Sequence, residues 1–415
     1  MAGWFQRPLF DETSNRERIA RLRERGVEVW GPERVYIGPD VPLEAVEPGA
    51  VLINAIITGE HVGIGTRSRI GISGNATIHN CQLGERVEIG AGLFDSATLL
   101  DDAKVRGFAE FREGTLLEEQ AEVGHNVGLK KTVLTVAVVA GSLINFCDVF
   151  MTGGTSRLDH SEIGSGTVHF NFDPRGDKFG SLIGDATGIL LRSSRIFVGG
   201  NCGLVAPLHL GFGSVLAAGS TLRRDLAQSQ LSYGETSFDK TGHFDPEVYY
   251  DLRHKVFTTA KLIGAMHAVR AWYRMVRIAF ADTGRTTLYQ SAEQRIATHM
   301  RHRVNELKKV ILKLDRSLSK QAARGLDNPF EKQHRLLLEK EEKICQFLSK
   351  EDESDFPPLP HVFVEDYGHQ RLTLSHVDAL RNLTKESASQ AAGWIQEIAA
   401  NPLRKMEDIF HNLQS

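Results

Sequence analysis

Imidazole is the side chain best suited to moving protons near neutral pH. Two histidines, His160 and His169, stand in one irregular stretch, GSLINFCDVFMTGGTSRLDHSEIGSGTVHFNFDPRGD, from Gly141 to Asp177, and His125 lies just upstream. Any one of them taken singly reads more readily as a surface or packing residue, so the stretch matters more than the single side chain. Four cysteines, Cys81, Cys147, Cys202 and Cys345, are far apart without paired spacing. That pattern gives neither a zinc set nor a disulfide framework, and reduced thiols follow, with no metal implied. Between Arg270 and Arg324 there are thirteen Arg or Lys against four Asp or Glu. Such a run reads as a solvated helix face balanced by the acidic Glu351 to Asp355, although a phosphate-rich partner would also suit it.

The strongest pattern in the chain says what positions these residues. Every sixth residue is apolar at Val87, Leu93, Leu99, Val105, Phe111, Leu117, Val123 and Leu129, and the spacing returns at Val198, Leu204, Leu210, Leu216 and Leu222. Six helical steps of about 100° turn a side chain away from where it began, so no helix can bury this stripe. In extended chain an even spacing keeps one face, and the intervening Gly, Asn and Asp supply corners. The pattern is that of a solenoid whose coils bury their apolar edges against one another. Coils are legible over 51–235, broken only between Gly141 and Asp177. Insertions in a solenoid lie outside it and often carry function, so that break is the first place to look for a site.

Residues 11–25 read as a short charged helix capped by Asp11 or Thr13 and ended by Gly26. Residues 27–50, with Pro32, Pro39, Pro42 and Pro48, read as an extended lead-in. Past residue 235 the period becomes helical. Asp245-Pro246-Glu247 predicts a helix start, with Val248, Leu252, Val256, Ile263 and Met266 on one face until Gly284. A second helix is predicted over 287–323, a third from Asn328-Pro329 to the acidic loop, and two more over 375–400 and 402–413, the last opened by Asn401-Pro402. The division is therefore 1–50, 51–235 and an antiparallel helical domain over 245–415, expected to cover the solenoid's end. Net charge is −3 with 41% hydrophobic residues. This describes a globular chain with no call for nucleic acid or membrane, and without an apolar leader in MAGWFQRPLF the expectation is a cytoplasmic protein.

Several segments taken in order, FREG around Arg112, VGLKK around Lys130, NFD at Asn171 to Asp173, DKF at Asp177 to Phe179, and LVAP followed by LAAGSTLRRD, carry a resemblance. Residues 18–230 resemble the left-handed β-helix half of the bifunctional bacterial enzyme that acetylates glucosamine-1-phosphate and then uridylylates it. The resemblance, which covers about half the chain, implies a mainly β solenoid (left-handed parallel β-helix of hexapeptide repeats) ahead of the all-α C-terminal region read from the helical period, and assembly as a homotrimer with sites between solenoids. It implies an amino-sugar phosphate or nucleotide sugar as ligand, held by Arg112, Lys130, Asn145, Asn171 and Lys178. Acetyl-CoA or another acyl-CoA would lie along Gly200, Ala217 and Ala218. Arg offers phosphate a planar fork and Lys a mobile point charge. The glycine-rich uridylyltransferase loop has no counterpart, so nucleotidyl transfer is not implied.

The departures bear on chemistry. Where the family has a histidine base in an AGH segment, this chain has Ser142, and where it has a tyrosine three residues on, this chain has Asn145. The arginine used towards acetyl-CoA has no counterpart in LSYGETS. A hydroxyl without a partner base cannot take a proton at neutral pH. His169, with His125 and His160 beside it, is the candidate replacement base. An acyl-CoA-dependent transferase and a non-catalytic sugar-phosphate-binding or scaffold trimer both remain open.

Overall fold

The computed structural model describes residues 12–234, 244–349 and 356–411. The described part begins with α1 (Glu12–Glu24) and then winds through about eleven coils of a parallel β-solenoid. Each full coil contributes to three faces. The first runs from Glu28-Val29 to Leu231-Ser232, the second from Val35–Ile37 to Thr221-Leu222, and the third from Gly63-Ile64 to His209-Leu210. The winding begins in the segment expected to be a lead-in, because Glu28-Val29 pairs with Val51-Leu52.

Inward residues stack in columns, as the six-residue stripe requires. Val87, Leu99, Val105, Phe111, Leu117, Val123 and Leu129 are all buried. Leu93 is the exception and faces outward, while Phe94 fills the core against Phe111 at a ring separation of 5.1 Å. The register of Glu88–Asp95 against Lys104–Arg112 shifts by one residue between the Ile89–Val105 and Ala91–Phe108 pairs, and just beyond it at Gly92 (φ 131°) a Cβ would come within 1.9 Å of the Ala109 carbonyl oxygen. Glycine is the residue that permits so close an approach.

The helical region follows: α2 (Arg253–Trp272) continued by a π-helical turn (Tyr273–Ile278), α3 (Thr286–Ala323), α4 (Glu331–Glu339), α5 (Glu341–Ser349), α6 (His361–Arg371), α7 (His376–Asn382) and α8 (Lys385–His411). It packs along the solenoid's side, which corrects the expected cap on the end. On the third face the outward column Leu116, Val133, Phe150 and Leu182 is as buried as the inward one, sharing a core with Val256, Ile263 and Ile296 of α2 and α3. Helix α3 spans roughly 57 Å at about 1.5 Å per residue, enough to cross most coils at roughly 4.8 Å each. It does so through Arg285 to Asp101, Ser291 Oγ to Thr98 Oγ1 at 2.8 Å, Arg295 to the Asn80 carbonyl at 3.3 Å, and Lys313 to Asp177 at 2.6 Å.

The predicted helix start at Asp245 is not helical, and the helix begins eight residues later. The Asp245 carboxylate instead accepts from Glu247 N, Lys320 and Arg324, while Arg175 donates to the carbonyls of Asp245, Pro246 and Val248. Ser317 Oγ and Gln333 Oε1 then take the N–H groups of Tyr249 and Leu252. These partners replace the helical ladder. The third predicted helix divides at Lys340 into α4 and α5. Conversely, α8 runs straight through Pro402, which cannot donate to the Ile398 carbonyl, so the expected boundary at Asn401 is absent. The acidic Glu351 to Asp355 lies outside the described residues.

Within the irregular stretch the parallel rungs Asn145–Cys147, Val149–Met151, Glu162-Ile163 and Val168–Phe170 persist. Only the hairpin Gly154–His160 and the loop over 171–180 leave the coil, and a further insertion carries the short helix Ala186–Leu190.

Candidate functional site

Along the second face alternate side chains point out of the solenoid. Arg112 and Lys130 are register partners on adjacent coils at the margin of that face, followed by Cys147 on the next. In the neighbouring outward column Glu110, Gly128 and Asn145 align. Three of the residues expected to hold the ligand, Arg112, Lys130 and Asn145, thus share one outer surface. Arg112 Nε donates to Glu110 Oε1 at 2.7 Å, which orients the guanidinium along the strand. Asn171 and Lys178 lie on the exposed loop that leaves the same face after Phe170.

The corner between the first and second faces is a column of small turns. His125, Ser142, Ser165, Gly200 and Ala218 occupy it on successive coils, behind Gly124, Gly141, Gly164, Gly199 and Ala217. A Cβ on Gly164 would sit 2.3 Å from Gly200 N, and one on Gly199 2.4 Å from Ala218 N, so coil stacking dictates these glycines. Gly200, Ala217 and Ala218, expected beside the acyl donor, therefore share the corner of Ser142. The hydroxyl there is not alone: Ser142 Oγ lies 2.7 Å from Nδ1 of His125 and accepts from His125 N at 3.2 Å, while Ser142 N donates to Ser165 Oγ at 3.0 Å. Ser142 therefore has an imidazole partner, where the sequence alone offered none. His125 is exposed and Ser142 half-buried. A hydroxyl has two acceptor lone pairs, so Nδ1–H can donate to Oγ and leave the Nε2 lone pair directed outward.

At the opposite margin, between the second and third faces, α3 meets the solenoid. Arg303, its side chain 1% exposed, donates through Nη1 to the Lys178 carbonyl at 2.8 Å and sets Nη2 3.0 Å from Asp148 Oδ1. His299 and His302 place Nε2 at 3.8 and 3.9 Å from the same oxygen. Burial raises the Asp148 carboxyl, and Arg303, Lys131, Lys130 and Lys178 act against that shift. Burial, then Arg303, Lys131, Lys130 and Lys178, hold His302 down at about 3, so its ring is neutral. Two of the expected ligand residues, Lys130 and Lys178, thereby belong to a cluster completed by α3. His302, Arg303 and Asp148 escaped sequence reasoning, and their one signal was the basic run beginning at Arg270.

The other histidines are elsewhere. His169 points into the solenoid core between Phe146 and Leu204, with Nε2 2.8 Å from Ser181 Oγ. Burial, reinforced by Arg303, lowers it to about 4. A ring so placed cannot reach a ligand outside the coil, which removes it as the surface base. His160 sits on the Gly154–His160 hairpin, bonded to the Arg157 carbonyl at 2.8 Å, away from the second face. Among the described residues no helix is long and apolar enough to cross a membrane.

No protein-family model matches the chain. Over 227 residues it is 28% identical to the bifunctional protein GlmU of Thermotoga petrophila, covering 54% of this chain and 46% of that protein. It is 29% identical over 233 residues to GlmU of Trichlorobacter lovleyi (55% and 45%) and 32% identical over 227 residues to GlmU of Pelobacter propionicus (53% and 44%). The chain spans about half the length of the curated relatives it matches. That extent of similarity, together with a parallel β-solenoid, fits the acetyltransferase half of GlmU.

Proposed function

We propose that this chain transfers an acyl group from an acyl-CoA to the amine of an amino-sugar phosphate, bound on the outer surface of the second face. One observation carries the reading: a hydrogen-bonded His125–Ser142 pair stands at one margin of the face that bears Arg112, Lys130 and Asn145. The strand between the two margins is about four residues, or roughly 13 Å, a span suited to a hexose with phosphate at one end and amine at the other.

Lys130, Arg112, Lys178 and Asn171 bind the phosphate, and Asn145 hydrogen-bonds the sugar. The acyl donor lies along the corner of Gly200, Ala217 and Ala218, where short side chains leave backbone groups open. The sugar amine attacks the thioester carbonyl, a C–N bond forms, and the C–S bond breaks. His125 Nε2 takes the amine proton and returns it to the departing CoA thiolate, while Ser142 holds the ring through Nδ1. A homotrimer belongs to this reading, since exposed Leu93, Phe108, Leu143, Phe170 and Phe172 give a neighbouring solenoid an apolar seat.

The second reading, sugar-phosphate binding without turnover, rests on Ser142 standing where the relatives' base is expected. Both readings need the phosphate site. Calorimetric titration with glucosamine-1-phosphate should show Lys130→Ala and Arg112→Ala each losing about 1.5–3 kcal/mol of binding free energy, the worth of a hydrogen bond to a charged group. Unchanged affinity in both variants would end the sugar-phosphate proposal.

A further inference from the structure

The α3 margin holds more positive charge than the fold needs. Around Asp148 stand Lys130 and Lys131 of one corner, Lys178 of the loop, and His299, His302 and Arg303 of α3. Glu113 also acts on Lys131 and Glu306 on Arg303, with Lys309 Nζ 2.8 Å from Glu306. These five cations and three carboxylates leave two positive charges over, while both imidazoles stay neutral. Hydrogen bonding at the corner is incomplete: Arg303 Nε and Nη2, the ring nitrogens of neutral His299 (one donor, one acceptor) and Asp148 Oδ1 are shielded from water and make no aligned hydrogen bond. Leaving buried donors unpaired is costly, and Arg303 brings two such N–H groups up behind the corner with only the imperfectly aligned Asp148 Oδ1 in front of them. Lys178 is exposed, Lys130 half-buried and His302 24% exposed, so the corner has an open rim in front of the buried Arg303 and Lys131.

We propose that this corner is an anion site for a phosphate monoester, in which His302 on α3 contacts the phosphate beside Lys130 and Lys178, and Arg303 and Lys131 supply charge from behind. A dianionic phosphate matches the excess of two charges, and its three acceptor oxygens suit donors converging from a corner, a loop and a helix. The helical region then completes the ligand site in the same chain. This inference rests on the reading of the second face as a sugar-phosphate site and adds the helix that closes its phosphate end.

The test follows histidine ring signals of the full chain by NMR during titration with inorganic phosphate and, separately, with glucosamine-1-phosphate. The His302 signal is assigned by its loss in His302→Gln. The expected result is a saturable shift of that signal with both ligands and an affinity about tenfold weaker in His302→Gln, with a melting profile like wild type. A His302 signal that stays still while glucosamine-1-phosphate binds in a Lys130-dependent way would overturn this inference and leave the acyltransferase reading standing. A shift with inorganic phosphate alone would support the anion site and count against that reading. Binding of neither ligand would overturn both.

Discussion

His125 and Ser142 meet at 2.7 Å, Nδ1 to Oγ, although seventeen residues separate them. One turn of the solenoid brings them to the same corner, and the Ser142 N–H is fixed in turn by Ser165 on the next coil. The hydroxyl is thus a rigid clamp on an exposed ring. Replacing it by Ala should lower kcat about tenfold with KM for the sugar phosphate little changed, because the ring keeps its place in the chain and loses its orientation. Steady-state kinetics check this; equal kcat in Ser142→Ala would show that the pair has no part in the reaction.

The helical region should not be separable from the solenoid. Truncation after Gly234 would bare Leu116, Val133, Phe150 and Leu182, the outward column of the third face. A contiguous apolar strip of that kind drives association. Size-exclusion chromatography should show aggregate, and a monodisperse solenoid with native circular dichroism would contradict the packing described.

Much of this fold is legible in the chain because a solenoid writes its period directly into the sequence. The stripe locates the coils and α3 shows its helical face, yet Leu93 faces outward because a one-residue register shift between Ile89 and Ala91 reverses which side chain enters the core. Pro402 misled because a proline inside a helix removes one hydrogen bond, and packing of α2 on α8 around Gly264 outweighs that loss. The site was legible only in part. Arg112, Lys130 and Asn145 fall on one face as soon as register is known. The His125–Ser142 pair was not readable, since coil length varies and the residue one coil below cannot be found by counting. His302 and Arg303 arrive by docking of α3, a tertiary event without local signature.

Stability should depend on Glu118. Burial, with neighbouring Glu119 adding to it, raises this carboxyl from 4.5 to about 7, and it accepts from Tyr273 Oη at 2.7 Å at the π-helical turn of α2. Between those two values the folded chain keeps a proton that the unfolded chain has released. Stability therefore falls as pH rises through this window. The full effect is about 3 kcal/mol. Relative to wild type, Glu118→Gln should gain stability between pH 4.5 and 7.5 by up to that amount, measured by urea denaturation at each pH. Parallel profiles would contradict the shift.

In solution the chain should assemble as three copies. Static light scattering at micromolar concentration checks this, with Phe108→Asp and Leu143→Asp together expected to reduce the particle to a single chain. A wild-type monomer would remove the neighbouring solenoid from the proposed site.

The central claim is acyl transfer with His125 as base, and CoA release tests it most directly. Wild type should release CoA from acetyl-CoA only when glucosamine-1-phosphate is present, and His125→Ala should lower kcat by about a hundredfold or more while still binding the sugar phosphate. Undiminished release by His125→Ala, or a wild type that binds the sugar phosphate and releases no CoA from any acyl donor, would contradict the account.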